Sequence, residues 1–117
     1  MPKKVLVVDN EFGSRRNIAF LLREQGYEVD EADDGLTALN LLDKRTFDLL
    51  ICDVVMPRLS AFDVVRRLES SHASTSVILI TGHPDLLDEK GLGHLPCFIK
   101  PFNLYDLLRR VKQVLGE

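Results

Sequence analysis

The chain is 117 residues long, 45% apolar and 28% charged, and its formal net charge is −3. That length predicts one compact domain spanning 1–117, and the acidic balance argues against a nucleic-acid binder, which is normally basic. No apolar run approaches the roughly 20 residues of a membrane span, and two cysteines are too few for a disulfide scaffold. We therefore expect a cytoplasmic domain with no membrane or nucleic-acid partner.

Short apolar runs alternate with helical patterns along the chain. The first run, 5–8, predicts a strand, and the helix after it is expected to start at a Ser14 cap and to end at Gly26. A weaker second strand spans 27–32. It overlaps a cluster of acidic residues, which predicts a solvated edge strand and loop that discourage edge pairing. These acids are Glu28, Asp30, Glu31, Asp33 and Asp34.

Three further apolar runs, 49–52, 77–80 and 97–99, do not alternate with polar residues, so we predict strands that are buried on both faces. Helical stripes lie between the runs, and the last helix has an Asn103 cap. Segment 82–96 holds two prolines and three glycines, so its helix should be short. The stripes expected to face the core are Ile18, Leu21 and Leu22; Leu36, Ala38, Leu39 and Leu42; Phe62, Val65 and Leu68; and Leu104, Leu107, Leu108, Val111 and Leu115.

The element order is therefore a strand and a helix repeated five times, which predicts a doubly wound parallel sheet with helices on both faces. Such sheets bind ligands beyond the carboxyl ends of the strands, where the strand order reverses. Polar residues directly follow the apolar runs at that edge. They are Asp9, Asn10, Glu11, Asp53, Thr81 and Lys100.

Clustered carboxylates with a hydroxyl and a lysine suit phosphoryl transfer. A carboxylate such as Asp53 can be the nucleophile that forms an aspartyl phosphate, and Mg²⁺ binds through one or two carboxylates. Thr81 and Lys100 can then contact phosphoryl oxygens. Each residue alone has an ordinary alternative, because Asp9 and Asp53 could be turn or capping acids. Thr81 could belong to a simple turn, and Lys100 could be a surface lysine held extended by the proline after it.

The residues at this edge resemble the receiver domain of two-component response regulators. The similar segments occur in family order over the whole chain: Val7-Val8-Asp9-Asn10-Glu11, Ala32-Asp33-Asp34-Gly35, Asp53-Val54-Val55-Met56-Pro57, Thr81-Gly82 and Lys100-Pro101-Phe102. The resemblance implies an α/β, three-layer doubly wound (βα)5 flavodoxin-like fold with a five-stranded parallel sheet in the order 2-1-3-4-5. It also implies a single receiver domain over 1–117, with no output domain in this chain.

The resemblance further implies a role for each site residue. Asp53 would accept a phosphoryl group from a histidine kinase or a histidine phosphotransfer protein, and Lys100 would pair with the phosphoryl oxygens. Thr81 would turn towards the phosphate and start a conformational switch, which changes binding to a downstream effector outside this chain. The implied Mg²⁺ ligands are Asp9, Asn10, Asp53 and the backbone carbonyl of Val55.

The chain departs from the family pattern at several positions. Asn10 stands where the family usually has a second acid, so we expect weaker Mg²⁺ binding. Ala61 replaces a usual glycine, and Cys97 replaces the usual switch aromatic, with Phe98 beside it. Segment 81–100 is shorter than usual, which shortens the fourth helix. That helix often contributes to the dimer or effector surface, so a homodimer is left open.

Other polar residues near the predicted site have weaker signals. Glu11 and His83 are expected near the pocket mouth, where His83 would influence dephosphorylation. Cys52 and Cys97 are predicted to be core residues rather than redox-active thiols. The histidines of the chain, which are His72, His83 and His94, show no metal-ligand spacing.

Two rival functions stay open on the sequence. An aspartate-nucleophile phosphatase usually has a second acid two residues after the nucleophile, where this chain has Val55, and it needs a cap or a larger core. A receiver-shaped interaction module that works without phosphate is made plausible by Asn10 and Cys97. We expect a regulatory phosphoacceptor with self-catalysed phosphotransfer and slow hydrolysis, rather than an enzyme that acts on a free substrate.

Overall fold

The computed structural model describes residues 1–71, 74–89 and 91–117, and in these residues five strands alternate with five helices. This alternation confirms the predicted element order. His72 lies outside the described residues. The elements are β1 (Lys4–Val8), α1 (Phe12–Glu24), β2 (Glu28–Ala32), α2 (Gly35–Lys44), β3 (Leu49–Asp53), α3 (Ala61–Ser70), β4 (Ser76–Thr81), α4 (Leu86–Glu89), β5 (Cys97–Ile99) and α5 (Leu104–Leu115).

The strands form one parallel sheet in the order β2-β1-β3-β4-β5, which confirms the predicted fold class. The strand order reverses at β1 and β3, which are neighbours in the sheet although β2 separates them in the sequence. Val8 of β1 pairs with Cys52 of β3. The residues that follow this pair, Asp9 and Asp53, therefore lie side by side at the carboxyl edge of the sheet.

The two faces of the sheet carry separate hydrophobic clusters. One cluster joins β1, β3 and β4 to α2 and α3, and the other joins the same strands to α1 and α5. Because helices cover both faces, β3 is buried throughout, as are residues 5–8 of β1 and 78–81 of β4, which explains why these apolar runs do not alternate. The predicted burial on both faces is wrong for the run 97–99, because β5 lies at the edge of the sheet and Ile99 is 53% exposed. In the described ranges, no helix is both long and apolar enough to cross a membrane.

The helix ends agree with the predicted caps except at the start of α1. The Asn103 side chain accepts N–H groups from the first turn of α5, and Gly26 follows α1 with a φ of 91°. The predicted Ser14 cap is wrong, because α1 already begins after Glu11. The carboxylate of Asp9 accepts the N–H of Glu11 at 2.9 Å, so the chain turns directly after β1 and the helix starts earlier.

One residue of the predicted stripe on α2 does not face the core. Leu36 is 40% exposed, whereas Ala38 is buried and both Leu39 and Leu42 contact the core. Leu36 and Ala38 are two positions apart, so at about 100° per residue they point to nearly opposite sides of the helix. The predicted stripes on α1, α3 and α5 do contact the core, and α4 is short as predicted, with four residues.

The acidic strand β2 lies at an edge of the sheet as predicted, but two acids of the predicted acidic cluster, Glu31 in β2 and Asp34 in the loop after it, are not solvated. Asp34 is 8% exposed, because its carboxylate caps α2 and accepts a hydrogen bond from Nε of Arg58 at 2.8 Å. The side chain of Glu31 is 13% exposed. The solvated-edge prediction is therefore wrong for Glu31 and Asp34, which arginines from neighbouring segments cover. The arginines that contact Glu31 are Arg15, Arg16 and Arg23.

Candidate functional site

A lysine bridges two buried carboxylates at the carboxyl edge of the sheet. Nζ of Lys100 lies 2.8 Å from Oδ2 of Asp9 and 2.8 Å from Oδ2 of Asp53. Asp9 is fully buried, and Asp53 is 6% exposed. The structure thus brings together three of the residues that the sequence analysis placed at this edge, each at the end of a different strand.

Backbone N–H groups hold the other oxygen of each carboxylate. The N–H of Glu11 donates to Oδ1 of Asp9 at 2.9 Å, and the N–H of Val55 donates to Oδ1 of Asp53 at 3.0 Å. The two turns have the same form, because the donor follows its acid by two residues in each. Both Oδ2 atoms are thereby directed towards Lys100.

The charges of this cluster do not cancel. Two carboxylates share the ammonium of Lys100, and Oε1 of Glu11 lies 3.7 Å from the same Nζ. Burial raises the pKa of Asp53, and the negative charge of Asp9 raises it further. The hydrogen bonds that Asp53 accepts lower this pKa, but they do not outweigh the rise. Burial opposes the charged form of Lys100, but the hydrogen bonds and charges of Asp53 and Asp9 outweigh burial and raise the pKa of the lysine. The cluster therefore has an excess of negative charge that a further cation would lower.

Thr81 is fully buried at the end of β4, one residue after the pairing partner of Asp53. Its Oγ1 accepts the backbone N–H of His83 at 2.9 Å, and its carbonyl accepts the N–H of Lys100 at 2.7 Å. Thr81 thus connects the loop after β4 to the segment that carries the lysine. His83 is exposed, and its influence on dephosphorylation stays a prediction.

Cys97 and Phe98 lie against opposite faces of the sheet. Cys97 is half-buried beside the cluster of α2 and α3, while Phe98 packs on the other cluster with its ring centre 5.9 Å from that of Phe102. Burial raises the pKa of the Cys97 thiol, and the charge of Asp53 adds to this effect. Burial also raises the pKa of Cys52, which is fully buried. Neither cysteine has the lowered pKa of a reactive thiolate, in agreement with the predicted core role.

The donor atoms present at this edge fit a hard cation. Asp9 and Asp53 supply two carboxylates, and the two turns add the exposed residues Asn10, directly after Asp9, and Val55, two residues after Asp53. Mg²⁺ usually binds through one or two carboxylates and completes its shell with water and phosphate oxygens. Within 1–71, 74–89 and 91–117, no three His, Cys, Asp or Glu side chains are grouped as a metal cage. An open, oxygen-rich Mg²⁺ site is therefore the kind of site that these residues could form.

A glycine allows the loop after Asp53 to approach the start of α2. A Cβ atom at Gly35 would overlap the backbone oxygen of Leu59, so a larger residue would push that loop away. Arg58 in the same loop has a φ of 72°, and its side chain pairs with Asp34. The segment 34–35 therefore helps to position the loop that carries Val55, a contribution that the sequence analysis did not assign to it.

Arg15 is a further residue beside this cluster that was not predicted from the sequence. Nη1 of Arg15 donates to the backbone carbonyl of Asp9 at 2.8 Å, and Nε donates to Oε1 of Glu31 at 3.2 Å. The signal that could have found this residue is a basic pair one helical turn after the acidic loop 9–11. Long side chains on a helix lean towards its N-terminus, so an arginine at this position can reach back to the loop.

An open groove of about 450 Å³ lies beside the cluster. Ser14 and Asn17 of α1 form one side, and Pro101, Phe102 and Leu104 form the other. The groove reaches Lys100, so a partner protein seated in it would lie next to the acidic cluster.

The amino-acid sequence is similar to those of known proteins over nearly its whole length. The family model described as response regulator receiver domain matches residues 5–112. Sporulation initiation phosphotransferase F of Bacillus subtilis is 31% identical over 98% of this chain and 95% of its own length. Response regulator MprA of a Mycobacterium species is 34% identical over 98% of this chain, which spans 51% of MprA. The chain therefore matches nearly the whole of one relative and about half of the other.

A solved structure with the same fold contains a bound metal. The response regulator TrrA of Thermotoga maritima, in complex with Mg²⁺ and BeF, has a TM-score of 0.86 and 31% identity. The alignment covers 97% of this chain and 99% of that chain.

Proposed function

The chain belongs to the response regulator receiver domain family, and on that premise we propose that Asp53 is the residue that accepts the phosphoryl group. Receiver domains of this family have a phosphoacceptor role in two-component signalling. The observation that carries the assignment is the position of Lys100, whose ammonium lies 2.8 Å from Oδ2 of both Asp53 and Asp9. Of these two acids Asp9 is fully buried, whereas Asp53 retains some exposure through which a phosphodonor can approach.

The proposed reaction transfers a phosphoryl group from a phosphohistidine. An oxygen of the Asp53 carboxylate forms the new P–O bond while the P–N bond to the donor breaks. The electron pair of the broken bond stays on the imidazole nitrogen, which takes up a proton. Lys100 stabilises the charge on the phosphoryl oxygens, and the N–H of Val55 keeps Oδ1 in place so that Oδ2 is presented to the donor.

Mg²⁺ is the proposed cofactor. Asp9 and Asp53 would bind it through their carboxylates, Asn10 through its amide oxygen and Val55 through its backbone carbonyl. When bound, the ion offsets the negative charge of the carboxylates and of the phosphoryl oxygens. The complex of the Thermotoga maritima relative with Mg²⁺ and BeF supports this proposal. Asn10 adds an oxygen without a charge, so the affinity should be lower than with an acid at this position.

Thr81 is the proposed sensor of the phosphoryl group. Because its hydroxyl accepts the N–H of His83, the hydroxyl proton can donate to a phosphoryl oxygen. That new contact would favour the active conformation and thereby shift an existing equilibrium. Cys97 is smaller than the aromatic residue that the family usually has at this position. The conformational change would therefore reach an effector through contacts around Cys97 that differ from those of an aromatic side chain.

The proposed phosphodonor is a histidine kinase or a histidine phosphotransfer protein, and the proposed target is an effector outside this chain. The groove beside Lys100 offers the donor a surface next to the acceptor. We also propose a single receiver domain over 1–117 in the cytoplasm, without direct binding to nucleic acid or membranes. The four-residue α4 argues against a homodimer built on that helix.

Incubation with MgCl₂ and acetyl phosphate, a small phosphodonor, tests the proposal. We expect one phosphoryl group per chain by intact mass, stable in acid, labile in base and slowly lost by self-catalysed hydrolysis. Asp53→Asn should abolish the adduct. Asp43→Asn is the matched control and should retain it, because Asp43 pairs with Arg67 on the surface. Rapid repeated turnover would instead indicate an aspartate-nucleophile phosphatase, and a wild-type chain without an adduct would indicate a module that works without phosphate.

A further inference from the structure

The geometry points to Arg15 as a positioning residue that fixes the loop 9–11, which carries proposed metal ligands. The inference rests on the proposed function, because that function assigns Asp9 and Asn10 to Mg²⁺. Among the described residues, no hydrogen bond joins Arg15 to the bridging Lys100. Arg15 contacts the backbone of the loop, so it would act on the metal through the position of the ligands.

The guanidinium of Arg15 lies against three residues, Asp9, Glu31 and Phe12. Its Nη1 donates to the carbonyl of Asp9 at 2.8 Å, while its Nε donates to Oε1 of Glu31 at 3.2 Å. The side chains of Arg15 and Glu31 are each 13% exposed, and the guanidinium carbon lies 5.4 Å from the ring centre of Phe12. An arginine that is held by a largely buried ion pair and by an aromatic ring has few alternative positions. It can therefore fix the carbonyl to which it donates.

The carbonyl that accepts the hydrogen bond from Arg15 is that of Asp9, the first residue of the loop 9–11. Oδ1 of Asp9 accepts the N–H of Glu11 at 2.9 Å, and the carbonyl of Glu11 accepts the backbone N–H of Arg15 at 3.0 Å. Arg15 thus closes the loop twice, through its own N–H and through its side chain. Asn10 lies between the two residues that these bonds fix, so the direction of its amide depends on both.

Charge and positioning predict opposite effects of removing this side chain. The guanidinium is positive and would repel a cation, so loss of its charge alone should strengthen Mg²⁺ binding. Loss of a group that orients metal ligands should weaken binding, typically by about 10- to 100-fold. The direction of the change in affinity therefore separates the two effects.

The neighbouring residue on α1 supplies a matched control. Nη1 of Arg16 donates to Oε2 of the same Glu31 at 2.8 Å, and no hydrogen bond from Arg16 to loop 9–11 is found in the part of the chain that the structure describes. Arg16→Gln removes one positive charge that pairs with Glu31, as Arg15→Gln does. Arg15→Lys retains the charge, but one ammonium cannot reproduce the two separate donors that join Asp9 and Glu31.

The experiment uses the full chain labelled with ¹⁵N, first without metal and then titrated with MgCl₂. In Arg15→Gln and Arg15→Lys we expect the amide of Glu11 to exchange faster with solvent than in the wild type. We also expect the dissociation constant for Mg²⁺ to rise by about tenfold or more. Arg16→Gln should leave both quantities nearly unchanged.

Several results would overturn the inference. One is an unchanged exchange rate at Glu11 in both Arg15 variants, and another is tighter Mg²⁺ binding by Arg15→Gln. An equal loss of affinity in Arg16→Gln would assign the effect to the ion pairs of Glu31 and not to the loop. If the wild-type chain bound no Mg²⁺, the proposed metal site would fail, and the exchange rate measured without metal would still decide whether Arg15 orders the loop.

Discussion

Replacement of Lys100 by methionine tests the central cluster, since it removes the ammonium and keeps a side chain of similar length. The ammonium lies 2.8 Å from two carboxylates, those of Asp9 and Asp53, which are 0% and 6% exposed. Removal of one partner from a buried ion pair costs about 3–5 kcal/mol, because the remaining charge stays buried without compensation. The side chain of Lys100 is 20% exposed, so water screens part of this cost. We therefore expect the free energy of unfolding to fall by about 3 kcal/mol at pH 7.

The size of this loss should depend on pH. Without the lysine, Asp9 and Asp53 repel each other, so the pKa of one carboxyl in the folded chain rises above its unfolded value near 3.9. A raised carboxyl pKa contributes stability that is complete below the unfolded pKa and is lost as the pH rises through the folded pKa. The deficit of Lys100→Met should therefore be largest at neutral pH and shrink towards about pH 4. The deficit in the free energy of unfolding should not exceed about 4 kcal/mol, because protonation of one carboxyl at pH 7 costs that much and would relieve the repulsion.

Urea unfolding followed by far-UV circular dichroism measures the loss, because the chain has no tryptophan to report it by fluorescence. Lys44→Met is the control, since Lys44 is exposed in the last turn of α2. The free energy of unfolding of Lys44→Met should fall by less than about 1 kcal/mol. A deficit for Lys100→Met below about 1 kcal/mol, or one equal at neutral pH and near pH 4, would refute the idea that Lys100 compensates buried charge.

Other substitutions test the surroundings of the site. Gly35→Ala should lower the free energy of unfolding in urea by about 1–3 kcal/mol, because the methyl group would overlap a backbone oxygen. Gly13→Ala is its control and should not destabilise, since nothing lies within 4 Å of that Cβ position. Asn10→Asp should bind Mg²⁺ more tightly in a titration, because it adds a negative charge, and equal affinities would contradict this reasoning. Cys97 is half-buried and should react with a thiol reagent before the fully buried Cys52, so faster labelling of Cys52 would contradict the packing.

Most of the fold could be predicted from local patterns. An apolar run without alternation indicates burial on both faces, and a stripe at helical spacing indicates a helix, whichever elements cover them. The errors arose where a neighbouring contact decides the outcome. The cap at Ser14 was wrong because the carboxylate of Asp9 turns the chain earlier. The prediction that Glu31 is exposed was wrong because arginines of α1 reach across to the edge strand.

The candidate site could be predicted only in part. The position of each polar residue after an apolar run was enough to propose Asp9, Asp53, Thr81 and Lys100, because parallel strands end at a common edge. Neither Arg15 nor the steric role of Gly35 could be proposed in this way. Both act on backbone atoms of other segments, and a hydrogen-bonded carbonyl or a close approach leaves no trace in residue type alone.

Local patterns in the chain are enough to place acids, a hydroxyl and a lysine directly after the strands, since each strand ends where its apolar run ends. Which atoms of these side chains meet depends on how the whole chain packs. Lys100 is 91 positions from Asp9 and 47 from Asp53, and yet its ammonium lies 2.8 Å from both. That geometry depends on the order and register of the whole sheet, and on the backbone N–H groups that turn each carboxylate. No local pattern contains these relations, because they exist only after distant segments have packed together.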